Sequence, residues 1–90
     1  MKHYTISLSE IYRADELNRL LVDTLTFPEY YGGNLDALYD VLTSQSIGWS
    51  LHFTDCAESR ALLGKYFTRF QKVCLEAQDE NPNFEAEFEE

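Results

Sequence analysis

Asp36, Tyr39, Asp40 and Thr43 stand at i, i+3, i+4 and i+7. On a helix that spacing lines them along one outward stripe. Glu76 and Glu80 form a second i, i+4 pair of acids. Paired carboxylates can serve as general acid and base, as ligands for a divalent cation, or as anchors for a basic partner. Acid–base catalysis favours a concave, water-poor setting, and a stripe on a convex helix face supplies none. Docking a basic partner needs only acids that the chain leaves without local bases. Between Leu20 and Ser59 there is no Lys or Arg, yet Asp23, Glu29, Asp36, Asp40, Asp55 and Glu58 fall there. From Val73 onward there is again none, against seven acids.

Asp36 has an ordinary explanation, because a carboxylate in the first turn of a helix is favoured by the helix dipole. Asp40 has none. Its neighbours at i±3 and i±4 are Asp36, Ala37, Thr43 and Ser44, so the only charge within reach is a like one, costing about 0.2–0.5 kcal/mol. Glu76 and Glu80 close a helical stretch, where the dipole disfavours anions; Lys72 can answer Glu76, but Glu80 has no such partner. One such oddity fits a solvated face. Two, together with the tyrosines of FPEYYGG, point to a surface kept acidic for a partner, since tyrosine offers contact area and a hydroxyl at small entropic cost. Other chemistry is faint. His3 and His52 fall on the polar side of strands, and a two-histidine metal site is a weaker reading than two surface residues. Gly32-Gly33 ahead of a helix can receive an anion, but the surrounding carboxylates oppose it. No GxGxxG, P-loop, CxxC or HExxH is present. No metal and no cofactor is expected, and the chain reads as a binding protein rather than an enzyme.

The elements that must carry these residues are legible from periodicity. Tyr4, Ile6 and Leu8 alternate with His3, Thr5 and Ser7, as in a half-buried strand. Asp15 is a plausible N-cap for a helix with Leu17, Leu20, Leu21 and Leu25 on one face. FPEYYGGN breaks that helix. Asn34 then caps a second helix with Leu35, Leu38 and Leu42 inward. Trp49, Leu51 and Phe53 alternate as a second strand. A long helical pattern runs from about Ala57 to Asp79, with Gly64 placed to split it. Beyond Asn81-Pro82, Phe84, Ala86 and Phe88 alternate with glutamates, as a third strand or a frayed tail. Helical crossovers favour parallel strands, and clean alternation favours one solvated sheet face. The expected fold is α/β: a small three-stranded parallel sheet with helices packed mainly on one side.

The chain has 90 residues and a formal charge of −9, which suits one domain over 1–90. That charge argues against a nucleic-acid binder, whose affinity comes from bases neutralising phosphates, and against docking on an anionic membrane. With 44% hydrophobic and 14% aromatic residues, the chain is too apolar for a disordered acidic tail. Such a domain buries roughly 60–65% of its extended-chain surface, enough to fold without deep internal clefts. Cys56 and Cys74 make no disulfide framework and read as small buried hydrophobes. MKHYTISLSEIYR lacks the apolar core of a signal peptide, so a reduced, cytoplasmic setting is expected.

The segment from Phe27 to Asp40, FPEYYGGNLDALYD, resembles the signature of the barstar family of ribonuclease inhibitors. PEYYG, one variable residue, NLDAL and an acid two positions on form a specific pattern. The resemblance extends, more weakly, over nearly the whole chain, including VCLEAQDEN. It implies a three-stranded parallel sheet with helices, which the periodicity suggests independently. It implies an intracellular protein that plugs the active site of a basic, barnase-like microbial ribonuclease. Carried over by motif, Asp40 matches the acid that enters the nuclease's phosphate site, and Asp36 the acid beside it. Tyr30 matches an aromatic that packs on a catalytic histidine, and Gly32 and Asn34 belong to the loop leading into the binding helix. Tyr39 stands where the best-known member has tryptophan, and Thr43 matches a rim position. Glu76 and Glu80 match acids of the later helix that meet basic nuclease residues. The chain departs from the pattern at Gln45, where that member has a further tryptophan, and in its acidic tail FEAEFEE. The alternative is therefore a barstar-like binding module for a related but non-ribonuclease toxin or for a regulatory protein. The high negative charge favours a monomer when free.

Overall fold

In a computed structural model of the chain, residues 1–28, 31–44 and 46–90 are described. Three strands, β1 (Lys2–Ser7), β2 (Trp49–Thr54) and β3 (Phe84–Phe88), form a parallel sheet in the order β1-β2-β3. Among the described residues, four helices connect them: α1 (Ala14–Thr24), α2 (Leu35–Leu42), α3 (Cys56–Leu63) and α4 (Lys65–Glu80). The expected α/β fold is thus the observed one. Gly64 does divide the long helical pattern. It sits at φ 56°, ψ −123°, a backbone conformation open to glycine and costly for residues with a Cβ. The C-terminal segment is a strand rather than a frayed tail.

Register explains the alternation. His3 lies opposite Ser50, Thr5 opposite His52, and Ser50 and His52 opposite Glu85 and Glu87. These residues make the sheet's polar face, where His52 Nε2 lies 3.2 Å from the Glu89 carboxylate. The other face buries Ile6, Trp49, Leu51, Phe53, Phe84 and Ala86 against helices. Phe53 is its centre, with the Phe70 ring edge-on at 5.3 Å and Phe88 stacked at 5.0 Å. One solvated face is tolerable in a parallel sheet this narrow, because four helices can cover only one side. Cys56 and Cys74 are both free and buried in that core, and burial pushes both thiols up. Among the described residues no helix is long and apolar enough to cross a membrane.

The start of α1 differs from expectation. Arg13, not Asp15, occupies the N-cap position, and its side chain makes no capping bond. Asp15 lies inside the first turn and pairs with Arg13 at 2.9 Å. The Glu16 carboxylate instead reaches back to accept the Tyr12 N–H at 3.1 Å, satisfying a free donor from within the helix.

Candidate functional site

The acidic stripe is set by the cap and the length of α2. Asn34 Oδ1 accepts the Ala37 N–H at 2.8 Å, so the helix starts where the sequence places it. Leu38, Val41 and Leu42 bury the inner side, and Asp36 and Asp40 are left exposed. α2 spans eight residues, so Asp40 lies in its last turn, where no base is present. There the negative end of the helix dipole adds to the repulsion from Asp36. Thr43 is the C-cap, and its hydroxyl donates to the Tyr39 carbonyl at 2.8 Å. Its donor is therefore committed within the fold, which leaves its oxygen as an acceptor.

α2 packs on α4, and this contact brings the two carboxylate pairs together. Tyr39 is the witness. Partial desolvation, then the charges of Glu80, Glu76 and Asp40, raise the pKa of its phenol. Acids separated by some 40 positions in sequence thus bear on one hydroxyl. Lys72 Nζ lies 3.8 Å from the Glu76 carboxylate, a long exposed contact of small energetic weight. Asp36, Asp40 and Glu80 form no ion pair among the described residues. The result is an exposed face carrying four carboxylates and an aromatic ring.

The loop ahead of α2 is anchored from inside. Phe27 stacks on Trp49 at 6.0 Å and meets the edge of Tyr31 at 4.6 Å. The Tyr31 hydroxyl donates to Asn18 Oδ1 at 2.9 Å, and Asn18 Nδ2 donates to Tyr66 Oη at 3.0 Å and the Ala14 carbonyl at 2.9 Å. Burial, and next to it Tyr66, pushes the Tyr31 hydroxyl up to about 12. Tyr31 is thus half-buried, with its hydroxyl committed to Asn18. Tyr30 lies outside the described residues, as does Gln45. Gly32 is exposed, but the backbone requirement for glycine falls on Gly33, at φ 71°.

Sequence reasoning missed three features. Val41 completes the buried side of α2. A groove of about 300 Å³, lined by Thr26, Phe27, Pro28, Val41 and Ile47, runs beside Asp40. Asn81, fully buried, bonds to the end of α2. The Val41 signal was present in its i+3 spacing from Leu38; the other two arise only from packing. His3 and His52 are held on the opposite face of the sheet and share nothing with the stripe.

The sequence profile of the family described as Barstar (barnase inhibitor) matches residues 1–89. The chain belongs to the barstar family. A Bacillus subtilis (strain 168) protein named "Putative ribonuclease inhibitor YrdF" is 43% identical to it over 65 residues, 67% of each chain. Barstar-family proteins are inhibitors rather than enzymes, and membership supports a ribonuclease-inhibitor role for this chain. The fold that the resemblance implied, a three-stranded parallel sheet with helices, is the one observed.

Proposed function

We propose that this barstar-family protein inhibits a basic, barnase-like microbial ribonuclease by occupying its active site with α2 and the loop before it. The observation that carries the reading is the packing of α2 on α4, which sets the exposed Asp36–Asp40 and Glu76–Glu80 pairs on neighbouring helices beside Tyr39, with Lys72 reaching Glu76 alone among the described residues. A nuclease holds the RNA phosphate with cationic side chains. A carboxylate on a rigid helix satisfies the same cations and excludes substrate without offering a bond to cleave. Asp40 is the phosphate mimic and Asp36 its neighbour. Tyr39 supplies the aromatic contact between the two acidic pairs. Gly32 and Asn34 shape the approach, Tyr30 packs on the nuclease's catalytic histidine, and Thr43 accepts at the rim. Glu76 and Glu80 meet basic residues further out and steer encounter. The inhibitor acts in the cytoplasm of the producing cell as a monomeric domain over 1–90, its net charge of −9 opposing self-association.

The test is a titration of barnase, and of secreted ribonucleases of its class, with the native protein and with Asp36→Ala/Asp40→Ala, read by cleavage of a fluorogenic RNA. Native protein should abolish cleavage at one-to-one stoichiometry, and the variant should not. If a nuclease is inhibited equally by both, the stripe is a solvated face. If none of these nucleases is inhibited, the target is a non-ribonuclease toxin or regulatory protein.

A further inference from the structure

We propose that Asn81 is a positioning residue for this acidic face: its amide ties the end of α2 to the end of α4 and fixes the spacing of Asp36 and Asp40 against Glu76 and Glu80. The proposal deepens the inhibitor reading and rests on it for the role of the face. Asn81 directly follows Glu80 and is 1% exposed. Pro82 bars it from continuing the helix, and its backbone is extended, at φ −120°, ψ 107°. Its Nδ2 donates to the Leu42 carbonyl and to the Ser44 carbonyl, each at 3.0 Å. Its Oδ1 accepts the Asn83 N–H at 3.0 Å. The reverse amide orientation would set oxygen against two carbonyl oxygens, so these contacts decide it. Its N–H donates to the Ala77 carbonyl at 2.8 Å, and its carbonyl accepts the Phe84 N–H at 3.0 Å.

Asn81 thus joins three elements at one buried point: the end of α4, the start of β3 and the end of α2. The α2 end is also held by the buried Val41 and Leu42, by the Thr43 hydroxyl on the Tyr39 carbonyl and by the Ile47 N–H on the Ser44 carbonyl at 3.3 Å, but Asn81 is what joins it to α4 by side-chain hydrogen bonds. A helix of eight residues is marginal alone, and an acid stands in its last turn with no base. Leu42 and Ser44 supply carbonyls that the helix itself cannot satisfy, and the Asn81 amide is the group that meets both. A carboxylate mimicking phosphate works only if placed in advance, since mobility in the free protein must be removed on binding. Loss of the tie should therefore act on how long a complex lasts. The rate of encounter follows net charge and should hold.

The experiment uses the full chain with Asn81→Ala, which removes the amide, and Asn81→Ser, which keeps one hydroxyl donor and guards against loss of folding. Phe70→Leu, at a core position packed on Phe53, Phe67 and Phe88, is the control for general destabilisation. In the free proteins, amide hydrogen exchange at Leu42, Thr43 and Ser44 should rise about tenfold in Asn81→Ala. It should rise less in Asn81→Ser, while Leu51 and Phe53 hold. With barnase as the probe, the dissociation rate should rise about tenfold and the association rate should not change. Unchanged exchange at Leu42–Ser44 overturns the tie, whatever the partner. Faster exchange with unchanged dissociation, or an equal rise in Phe70→Leu, overturns the positioning role. If native protein does not bind barnase, the inhibitor reading fails for that nuclease and the positioning role falls with it, while the exchange arm still decides the tie.

Discussion

Asp40→Asn/Glu80→Gln should make the free protein more stable while it ruins inhibition. Asp40 lies in the last turn of α2, and Glu80 is the last residue of α4. Each acid faces the negative end of its helix, at about 0.3–1 kcal/mol. Each also repels an acid four residues back, Asp36 or Glu76, at about 0.2–0.5 kcal/mol. Neither substitution costs a hydrogen bond or ion pair among the described residues, and both replacements are isosteric. The double variant therefore gains about 2 kcal/mol at low ionic strength, and roughly half that at physiological salt, where the Debye length is about 8 Å. For a domain of this size, about 1 kcal/mol raises Tm by roughly 4–8 °C. Thermal unfolding at two salt concentrations reads the gain, and barnase titration of the same samples reads the loss of inhibition. Asp36→Asn is the internal control. The dipole favours Asp36 in the first turn, so that change should leave Tm level or lower it. A Tm of the double variant that is unchanged or lower at low salt would refute the reasoning. So would a gain of equal size in Asp36→Asn. Either result would mean that the face is not held at a cost to the fold.

Asn34→Ala removes the acceptor of the Ala37 N–H and should cost about 0.5–2 kcal/mol in denaturant unfolding, with faster dissociation from barnase because Asp36 sits in the turn the cap holds. Stability should fall as pH rises from 10 to 12. Tyr31 keeps its proton in the folded state up to about 12, whereas the unfolded chain gives it up near 10, so the native state binds more protons in that window. Tyr31→Phe should flatten that slope, and urea titrations of both proteins across the range test it. Phe53→Ala should cost about 3–5 kcal/mol, since the ring is fully buried against Phe70 and Phe88, yet leave inhibition per folded molecule unchanged. Active-site titration of barnase against the folded fraction from circular dichroism checks this. Reduced inhibition per folded molecule would mean that the core and the acidic face are coupled.

The sequence by itself determined the elements up to the end of α4, the open sheet face and the acids of the stripe, and left the last strand open against a frayed tail. Alternation of period two, helical spacing and a capping Asn34 are local signals, and each follows from geometry within a few residues. Gly64 splits the helix because a positive φ is a property of one residue. The absence of bases around Asp40 is likewise visible in the chain. The tertiary structure decided what those signals leave open. Asp15 stands in the first turn rather than at the cap, because the Arg13 carbonyl already accepts the Leu17 N–H and starts the helix two residues earlier. Tyr31 turns inward because Asn18 and Tyr66, distant in sequence, meet its hydroxyl. Asn81, which the chain presents as an ordinary Asn-Pro helix stop, becomes the bond between two helices. Above all, the meeting of Asp40 with Glu76 and Glu80 at Tyr39 exists only because α2 packs on α4. Charges cost little to leave exposed in water, so no local rule places one acidic pair beside another. The burial of leucines and phenylalanines beneath them does.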